Sequence, residues 1–393
     1  MNIFIKTNES LQKHCEQMWK QPFIAIDTEF IANNSSYYPD LSLIQIAYAC
    51  PDKENLHKIE DASSVISSSN KDLIIVLIDA KAGLNMNFLK EILENKQIIK
   101  VIHACQHDHL ALKFNMKCQM QGIFDTQIAR AFISEHRMIS YRALVEHYCG
   151  IKLDKNQQMS DWLKRPLDRR QLDYAANDVN YLYKIYPIIF EEIKQRNYGK
   201  WVEEEVQNSI IEIEDNKNKI EKIFMNILFK EAPDLDNQKM APYLMRLIKL
   251  REDIAQQNNI GRQNIISDKN LQNIVYCIIE EKNKIPVSIL RINASFNLGS
   301  EKIKEIMSEI NEYEVNEYKK IKKEMLKYYD TSHFARNLIN LLNQVSQETG
   351  ISADLIVNNA ELRHITSIDQ CDKLKHGWRY EVFGKKAKEI ISQ

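Results

Sequence analysis

The stretch PFIAIDTEFI, from Pro22 to Ile31, is mostly apolar, yet it carries two acids, Asp27 and Glu29, near its end. Its length and apolar content predict a buried strand. Side chains two positions apart on a strand point to the same face, so these two carboxylates project together. A strand end that emerges into water would also tolerate two acids. A motif this short therefore indicates a functional site only in the company of other residues.

Further apolar runs of strand length follow in the first half of the chain: LSLIQIAYA at 41–49, LIIVLIDA at 73–80 and IIKVIHA at 98–104. The pattern FLKEILENK at 88–96 predicts a helix, and FDTQIARAFI at 124–133 runs from a strand end into another helix. Three successive strands, then strands separated by helices, predict an α/β domain with a mixed sheet and flanking helices.

The second half of the chain is predicted to be all-α. After about Asn197 the strand signals stop, and apolar residues recur every three or four positions with few helix breakers. The segment RINASFNLGS, from Arg291 to Ser300, interrupts this pattern. Two small helical domains or one helical lobe would both explain the interruption.

Composition limits the class of protein. The 393 residues, 44% hydrophobic and 27% charged, fit a globular protein of two or three domains. With 53 basic and 54 acidic residues, a nucleic acid would have to be held by local patches. The sequence has no signal-peptide pattern, no membrane-spanning run and no CxxC pair among its seven cysteines. We therefore expect a cytoplasmic protein that does not engage a membrane.

Two more segments place acids where functional sites are common. In HACQHDHLALKF, Asp108 begins a predicted helix after the strand KVIHA, although the helix dipole alone also favours an acid there. In QLDYAANDVNYLYKIY, Tyr174 and Asp178 are four residues apart and share a helix face. Asp178 lies among apolar positions, where an acid needs a partner. Asp173 is the competing acid in this helix.

Together these acids predict a metal site. Two carboxylates about 4 Å apart repel by about 4 kcal/mol at an effective dielectric of about 20. Two divalent cations would cancel the charge, and hard oxygen ligands suit Mg²⁺ or Mn²⁺. Two such ions about 3.5–4 Å apart activate a water and stabilise the leaving oxygen in phosphodiester cleavage.

The motifs DTEF, HACQHD and YAAND resemble the three exonuclease motifs of the DEDD superfamily, in the subgroup with a Tyr four residues before the last Asp. The phrases YPDLSLIQIA, KVIHA, FDTQIA, SDWLKRPL and YAANDVNYLYKIY are similar to those of the ribonuclease D family, and the resemblance covers residues 22–190. It implies a ribonuclease H-like exonuclease domain that removes single nucleotides from RNA 3′ ends. It also implies that transfer RNA precursors are trimmed and that nucleoside 5′-monophosphates are released.

The resemblance implies that the four acids are metal carboxylates and that Tyr174 positions the attacking water. As a mechanism we expect Asp27 to bridge two divalent cations, Mg²⁺ or Mn²⁺, with Glu29 and Asp178 completing the ion on the nucleophile side. Asp108 would serve the ion on the leaving-group side, and Tyr174 would orient the attacking water. These five residues are the expected catalytic set, and the four acids are the expected metal ligands.

The helical half resembles helicase-and-ribonuclease-D C-terminal (HRDC) domains. The segment LMRLIKLREDIAQQNNIGRQNIISDKNL is similar to one such domain, but NNIGRQN replaces the usual proline-containing turn. LKHGWRYEVFG is similar to the end of a second one. The implied domains are the exonuclease domain at 1–208 and two HRDC-like domains at 209–294 and 295–393.

Basic residues near the Tyr174 helix are candidates for RNA binding. WLKRPLDRR supplies Lys164, Arg165, Arg169 and Arg170, which could grip phosphates or simply form a solvated turn. Trp162 in the same segment is more often a core residue than a base-stacking one.

A second basic segment lies near the end of the chain. Residues 373–388 contain six Lys or Arg residues and one acid, and with Trp378 and Tyr380 they could hold RNA by charge and stacking. A tryptophan such as Trp378 is more often buried in a core than exposed for base stacking.

Other interpretations remain open from the residues alone. His103 and His107 have a spacing that a zinc site can use, but no suitably spaced cysteine joins them. Phe30 and Gln45 are expected to shape the site, although core packing explains Phe30 equally well. A proofreading-type DNA exonuclease and a catalytically silent RNA-binding adaptor are the alternative functions. No obligate protein partner is evident.

Overall fold

The computed structural model describes residues 2–32, 35–49, 73–135, 138–153, 160–280, 284–326 and 334–392. The chain forms two compact units. The first comprises Met1–Ile31, Asp40–Ile211 and Thr331–Gln393, and the second comprises Ala32–Pro39 and Glu212–Asp330. This grouping is separate from the three domains at 1–208, 209–294 and 295–393, which stay a prediction.

The first unit is built on a mixed sheet. Its strands among the described residues are β1 (Asn2–Ile5), β2 (Phe23–Ile31), β3 (Asp40–Ala49), β4 (Leu73–Asp79), β5 (Ile99–Ile102) and β6 (Ile123–Asp125). They lie in the order β1-β4-β3-β2-β5-β6. β2 and β4 are antiparallel to β3, whereas the pairs β1–β4, β2–β5 and β5–β6 are parallel. The predicted mixed sheet is confirmed.

The central strands are apolar on both faces because both faces are buried. Consecutive residues of β2 from Phe23 to Ile26 are buried, and so are all residues of β3 from Leu41 to Ala49. Such strands show a continuous apolar run rather than an alternating pattern. The few polar side chains inside these runs therefore lie where the buried core makes polar contacts as well as apolar ones.

Helices pack around the sheet of the first unit. Among the described residues before 215 they are α1 (Asn8–Met18), α2 (Asn87–Glu94), α3 (Gln106–Met116), α4 (Thr126–Phe132), α5 (Tyr141–Cys149), α6 (Arg169–Gln195) and α7 (Gly199–Glu214). The long helix α6 packs against β2, β3 and β4, and α3 packs against β2 and β3. Two of these helices therefore converge on β2, the strand with the first pair of acids.

The second unit is helical and has its own core. Its helices of at least eight residues among the described residues are α8 (Asn216–Asn226), α9 (Met240–Asn258), α10 (Asp268–Glu280), α11 (Val287–Phe296), α12 (Ser300–Met307) and α13 (Glu312–Leu326). The short segment 32–39 belongs to this unit. The Tyr37 hydroxyl donates to Glu252 over 3.0 Å and accepts from Lys219 over 2.8 Å.

The C-terminal part of the first unit is also helical, with α14 (Ala335–Thr349) and α15 (Lys385–Ile391) as its longer helices. Trp378 is buried, and its ring centroid lies 4.7 Å from that of Phe132 on α4. Arg379 binds both carboxylate oxygens of Glu205 on α7 at 2.5 and 2.7 Å. The prediction that Trp378 is a core residue is confirmed.

Most of the basic residues in the C-terminal segment 373–388 form ion pairs. In addition to Arg379, four of its lysines lie within 4.0 Å of an acid: Lys373–Glu361, Lys375–Asp372, Lys385–Glu381 and Lys386–Glu348. The positive charge that predicted RNA binding here is therefore largely balanced within the segment and its neighbours.

No helix among the described ranges combines the length and the apolar character needed to cross a membrane.

Candidate active site

Strand β2 sets the first two acids in place. Asp27 and Glu29 follow the buried run Phe23–Ile26 and are themselves half-buried. They point to the same face, as the alternation of side chains along a strand predicts. The register with β3 places Gln45 directly opposite Asp27. An irregularity in this register falls immediately after Glu29, between Glu29 and Phe30.

Helix α6 brings the third acid and the tyrosine. The helix begins at a reciprocal cap, in which Asp168 accepts from the Gln171 backbone amide over 2.9 Å and the Gln171 side chain accepts from the Asp168 amide over 3.0 Å. One turn further on, the Tyr174 hydroxyl donates a hydrogen bond to the Asp178 carboxylate. The helix thus places Tyr174 and Asp178 on one face, as their spacing predicts.

Three of the four predicted acids meet at one point. One carboxylate oxygen from each of Asp27, Glu29 and Asp178 lies within 4.8 Å of the other two. These residues come from positions about 150 residues apart in the chain. The arrangement of three oxygen donors is one that a divalent cation could bridge.

The fourth acid, Asp108, is attached to the same strand by a different route. It lies in the first turn of α3 and is 7% exposed. Its Oδ1 accepts from the backbone N–H of Thr28 over 3.1 Å and from the Thr28 hydroxyl over 2.5 Å. Asp108 therefore binds the residue that stands between Asp27 and Glu29.

Asp125 fixes the turn that leads into α3. Its carboxylate accepts from the backbone amides of Ala104 and Cys105 over 3.1 and 2.8 Å. It also caps α4 by accepting from the Gln127 amide over 2.8 Å. Ala104 has a left-handed backbone with φ of 62°, a conformation that a non-glycine residue adopts only with support. Asp125 supplies that support and so helps to place Asp108.

Burial raises the pKa of each acid. Burial is the largest cause for Asp108, whose pKa rises to about 7 even though the Thr28 hydrogen bonds oppose the shift. Burial and then the Asp108 charge raise the pKa of Asp178 to about 8, against the Tyr174 hydrogen bond. The pKa values of Asp27 and Glu29 are raised well above normal by burial and by the other acids. Clustered, buried carboxylates of this kind mark functional sites.

The donor set fits a divalent cation with hard-oxygen preference. All ligand atoms available at the convergence point of Asp27, Glu29 and Asp178 are carboxylate oxygens, which Mg²⁺ and Mn²⁺ prefer. A bound cation would also remove the repulsion that raises these pKa values.

His103, one of the histidines considered for zinc, takes part in hydrogen bonds away from the acids. The ring nitrogens of His103 lie 3.0 Å from the Thr126 hydroxyl and 3.1 Å from the Ile139 carbonyl oxygen. Hydrogen bonding within the fold therefore occupies His103, and within the described part of the chain the candidate metal group consists of acids alone.

The four predicted RNA-binding residues occupy two kinds of environment. Lys164, Arg169 and Arg170 are exposed. Arg165 instead binds both carboxylate oxygens of Asp79 at 2.6 and 3.0 Å, along with the carbonyl oxygen of Trp162 at 2.7 Å. The Arg165 guanidinium thus joins the 160–168 segment to β4. The other three side chains are exposed to solvent, and Arg169 lies 3.8 Å from the Asp173 carboxylate.

Some neighbours of the acids were not singled out from the sequence. Thr28 binds Asp108, and Tyr141 donates its hydroxyl to the carbonyl oxygen of Asn177 over 2.9 Å, one residue before Asp178. Thr28 stands inside the DTEF motif, where its position between two acids was the available signal. Nothing in the local sequence marks Tyr141, because its relation to Asp178 depends on tertiary packing.

Comparison with known proteins gives one consistent pattern. A family model described as 3′-5′ exonuclease matches residues 2–194. Ribonuclease D of Zymomonas mobilis is 31% identical, with 98% of this chain and 93% of the relative covered. Ribonuclease D of Sphingobium indicum is 29% identical, with 98% and 94% covered. The crystal structure of Escherichia coli RNase D, at 23% identity, has a TM-score of 0.71 and covers 100% of this chain and 99% of that one, which establishes the shared fold.

Proposed function

Because this chain belongs to the ribonuclease D family and is a 3′-5′ exoribonuclease, we propose that it trims the 3′ ends of transfer RNA precursors and releases nucleoside 5′-monophosphates. The observation that carries the proposal is the convergence of Asp27, Glu29 and Asp178 within 4.8 Å. Such a group of oxygens matches the needs of a phosphodiester hydrolase that works with divalent cations.

In this proposal the four acids hold two divalent cations, Mg²⁺ or Mn²⁺. Asp27, Glu29 and Asp178 supply the oxygens that already lie together, and Asp108 supplies a further carboxylate whose Oδ1 is engaged by Thr28. When bound, the cations would supply Lewis acidity for water activation and for the negative charge of the leaving oxygen.

Tyr174 is the proposed positioning group for the attacking water. Its hydroxyl donates to Asp178, so its oxygen is held beside the carboxylates while its lone pairs stay available to accept. Its ring lies 6.1 Å from that of Trp162, measured between centroids. A tyrosine hydroxyl held beside the carboxylates can fix the direction from which water approaches a phosphate.

The exposed basic residues supply the proposed contact with RNA. Lys164, Arg169 and Arg170 flank the start of α6, the helix that carries Tyr174 and Asp178. Phosphate contacts of this kind set the register of the strand without reading its sequence. We place the enzyme in the cytoplasm, where its RNA substrates would be available.

A 3′-extended transfer RNA precursor, labelled at its 5′ end, tests the proposal directly. With Mg²⁺ or Mn²⁺ the products should shorten one nucleotide at a time, and chelation by EDTA should stop the reaction. A matched DNA oligonucleotide should decay much more slowly. Internal cuts, or equal decay of DNA and RNA, would contradict the proposal, and decay of unstructured RNA without trimming of the precursor would contradict its transfer RNA part.

A further inference from the structure

Gln45 is a polar residue in the middle of a buried strand, between the apolar residues Ile44 and Ile46. It lies on β3, is 0% exposed and is paired in register with Asp27 on β2 and with Leu77 on β4. A fully buried amide is unfavourable unless its donors and acceptors find partners. A hydrophobic residue would fit the pattern of this strand better, so the amide calls for an explanation from its surroundings.

The amide of Gln45 reaches both acids of β2. Its Nε2 lies 3.0 Å from Asp27 Oδ2 and 3.4 Å from Glu29 Oε1. Two carboxylates in front of the amide require its NH₂ group to face them, because a carbonyl oxygen would repel their oxygens. The Gln45 Oε1 atom is consequently turned away, and it has no hydrogen-bond partner among the described residues. The Gln45 acceptor therefore has no partner among the described residues, whereas the Gln45 NH₂ group contacts both Asp27 and Glu29.

Thr28 and Tyr174 contact the acids in a different way. Thr28 donates to Asp108, and Tyr174 donates to Asp178. The Thr28 and Tyr174 hydroxyl groups each contact one acid. The Gln45 side-chain amide contacts both Asp27 and Glu29, so it links the positions of their two carboxylate groups.

We propose that Gln45 is a positioning residue, which holds the Asp27 and Glu29 carboxylates at the spacing that a divalent cation requires. The inference rests on the proposed metal-binding function of these acids. The Gln45 amide does not touch substrate in this scheme. It acts through the two carboxylates, as hydrogen-bond partners of metal ligands generally do, and loss of such a partner typically lowers metal affinity about 10–100-fold.

Gln45→Leu removes the donor while keeping a side chain of similar size in the strand. Titration of the purified full-length protein with Mn²⁺ by calorimetry, without RNA, should show affinity about 10–100-fold weaker than that of the wild type. Turnover of labelled RNA should fall at low Mn²⁺ and largely recover at saturating Mn²⁺. This split separates a positioning role from a direct catalytic one.

Gln21→Leu is the matched control. Gln21 is also buried, its Oε1 also lacks a partner among the described residues, and its Nε2 donates to the backbone carbonyl oxygens of Gln17 and Ala49. Removing its amide should change thermal stability to a similar extent but leave Mn²⁺ affinity unchanged. Equal loss of Mn²⁺ affinity in both variants would mean that a buried amide matters only for the fold, and would overturn the inference.

The outcomes also separate this inference from the proposed function. A wild-type protein that binds no Mn²⁺ would overturn the metal-dependent function. A wild type that binds Mn²⁺, together with a folded Gln45→Leu variant that binds it equally well, would overturn the role of Gln45 alone. If Gln45→Leu does not fold, Gln45→Met, which keeps the unbranched shape, is measured in the same way with the same two outcomes.

Discussion

Each acid of the site lies where burying an isolated carboxylate would cost free energy. Asp108 is almost fully buried, and Asp27 and Glu29 stand at the end of a buried strand. Neutral donors reduce the cost without removing the negative charge: Gln45 for Asp27 and Glu29, Thr28 for Asp108 and Tyr174 for Asp178. The residues therefore leave a net negative charge that a divalent cation can neutralise.

Asp178→Asn should lower kcat/KM on 3′-extended RNA at least about 100-fold. The substitution removes a carboxylate that would hold the cations, and these cations would stabilise the charge of the transition state. Asp173→Asn is the matched control on the same helix. Asp173 is exposed and faces Arg169 at 3.8 Å. Asp173→Asn should leave kcat/KM near the wild-type value. Comparable losses in both variants would remove Asp178 from the proposed catalytic set.

The metal-free protein should lose stability as pH rises. The pKa of Asp178 is about 8 in the folded protein against an ordinary value of 3.8. Between those values the folded state binds more protons than the unfolded state, so the free energy of unfolding falls as pH increases. In EDTA the Tm should therefore be higher at about pH 5.5 than at about pH 8.

Saturating Mn²⁺ should reverse the loss at the higher pH, because it binds the ionised acids. Asp178→Asn should flatten the dependence in EDTA, since it removes one of the titrating groups. Melting curves followed by circular dichroism across this pH range make the measurement. A Tm in EDTA that rises steadily with pH would contradict the assignment.

At the scale of elements, the segment before α6 acts as a brace for the site. Arg165 binds Asp79 on β4 and the carbonyl oxygen of Ser42 on β3, and the Ser42 hydroxyl donates to the carbonyl oxygen of Trp162. Trp162 in turn packs near Tyr174. The segment therefore ties the beginning of α6 to the sheet.

Arg165→Met should lower stability by about 1–3 kcal/mol, since it leaves the Asp79 carboxylate, whose side chain is 6% exposed, without its guanidinium partner. Arg169→Gln, at an arginine whose side chain is 95% exposed, should leave stability within about 0.5 kcal/mol. Urea unfolding gives both values.

RNA binding should respond in the opposite way to the same two variants. Arg169→Gln should weaken binding to RNA and make the dependence of affinity on salt less steep, because a phosphate contact is lost. Arg165→Met should leave the salt dependence unchanged. An unchanged RNA affinity in Arg169→Gln would remove Arg169 from the proposed phosphate contacts.

At the scale of the whole molecule, residues 331–393 belong to the first unit. They group with the sheet, while residues 32–39 and 212–330 form the second unit. Trp378 packs on Phe132, and Arg379 pairs with Glu205 on α7. The core of the first unit is therefore completed by residues far along the chain.

Glu205→Gln should destabilise the first unit by about 2–4 kcal/mol, because it leaves the largely buried Arg379 without a charged partner. Lower Tm and faster proteolytic release of the C-terminal segment would report this effect. Glu348→Gln is the control, since its pairing with Lys386 is exposed and its loss should leave the Tm unchanged. Equal behaviour of the two variants would contradict the anchoring role of Arg379.

Local sequence predicted several elements of the first unit well. The strands containing FIAIDTEF, LSLIQIAYA and LIIVLIDA lie where their apolar runs indicate, and the mixed character of the sheet followed from their order. The strand β1 at Asn2–Ile5 was not predicted, because four residues at the edge of a sheet carry too little periodicity.

By itself, the sequence determined the strand and the two helices that carry the candidate acids, the shared face of Asp27 with Glu29 and of Tyr174 with Asp178, and the family to which the chain belongs. These properties follow from side-chain periodicity and short motifs, which are local. Tertiary structure alone decided that Arg165 braces the sheet, that Gln45 joins two acids, and that the basic C-terminal segment is mostly paired. Hydrogen bonds and ion pairs depend on distances between residues remote in the chain, and only packing sets those distances.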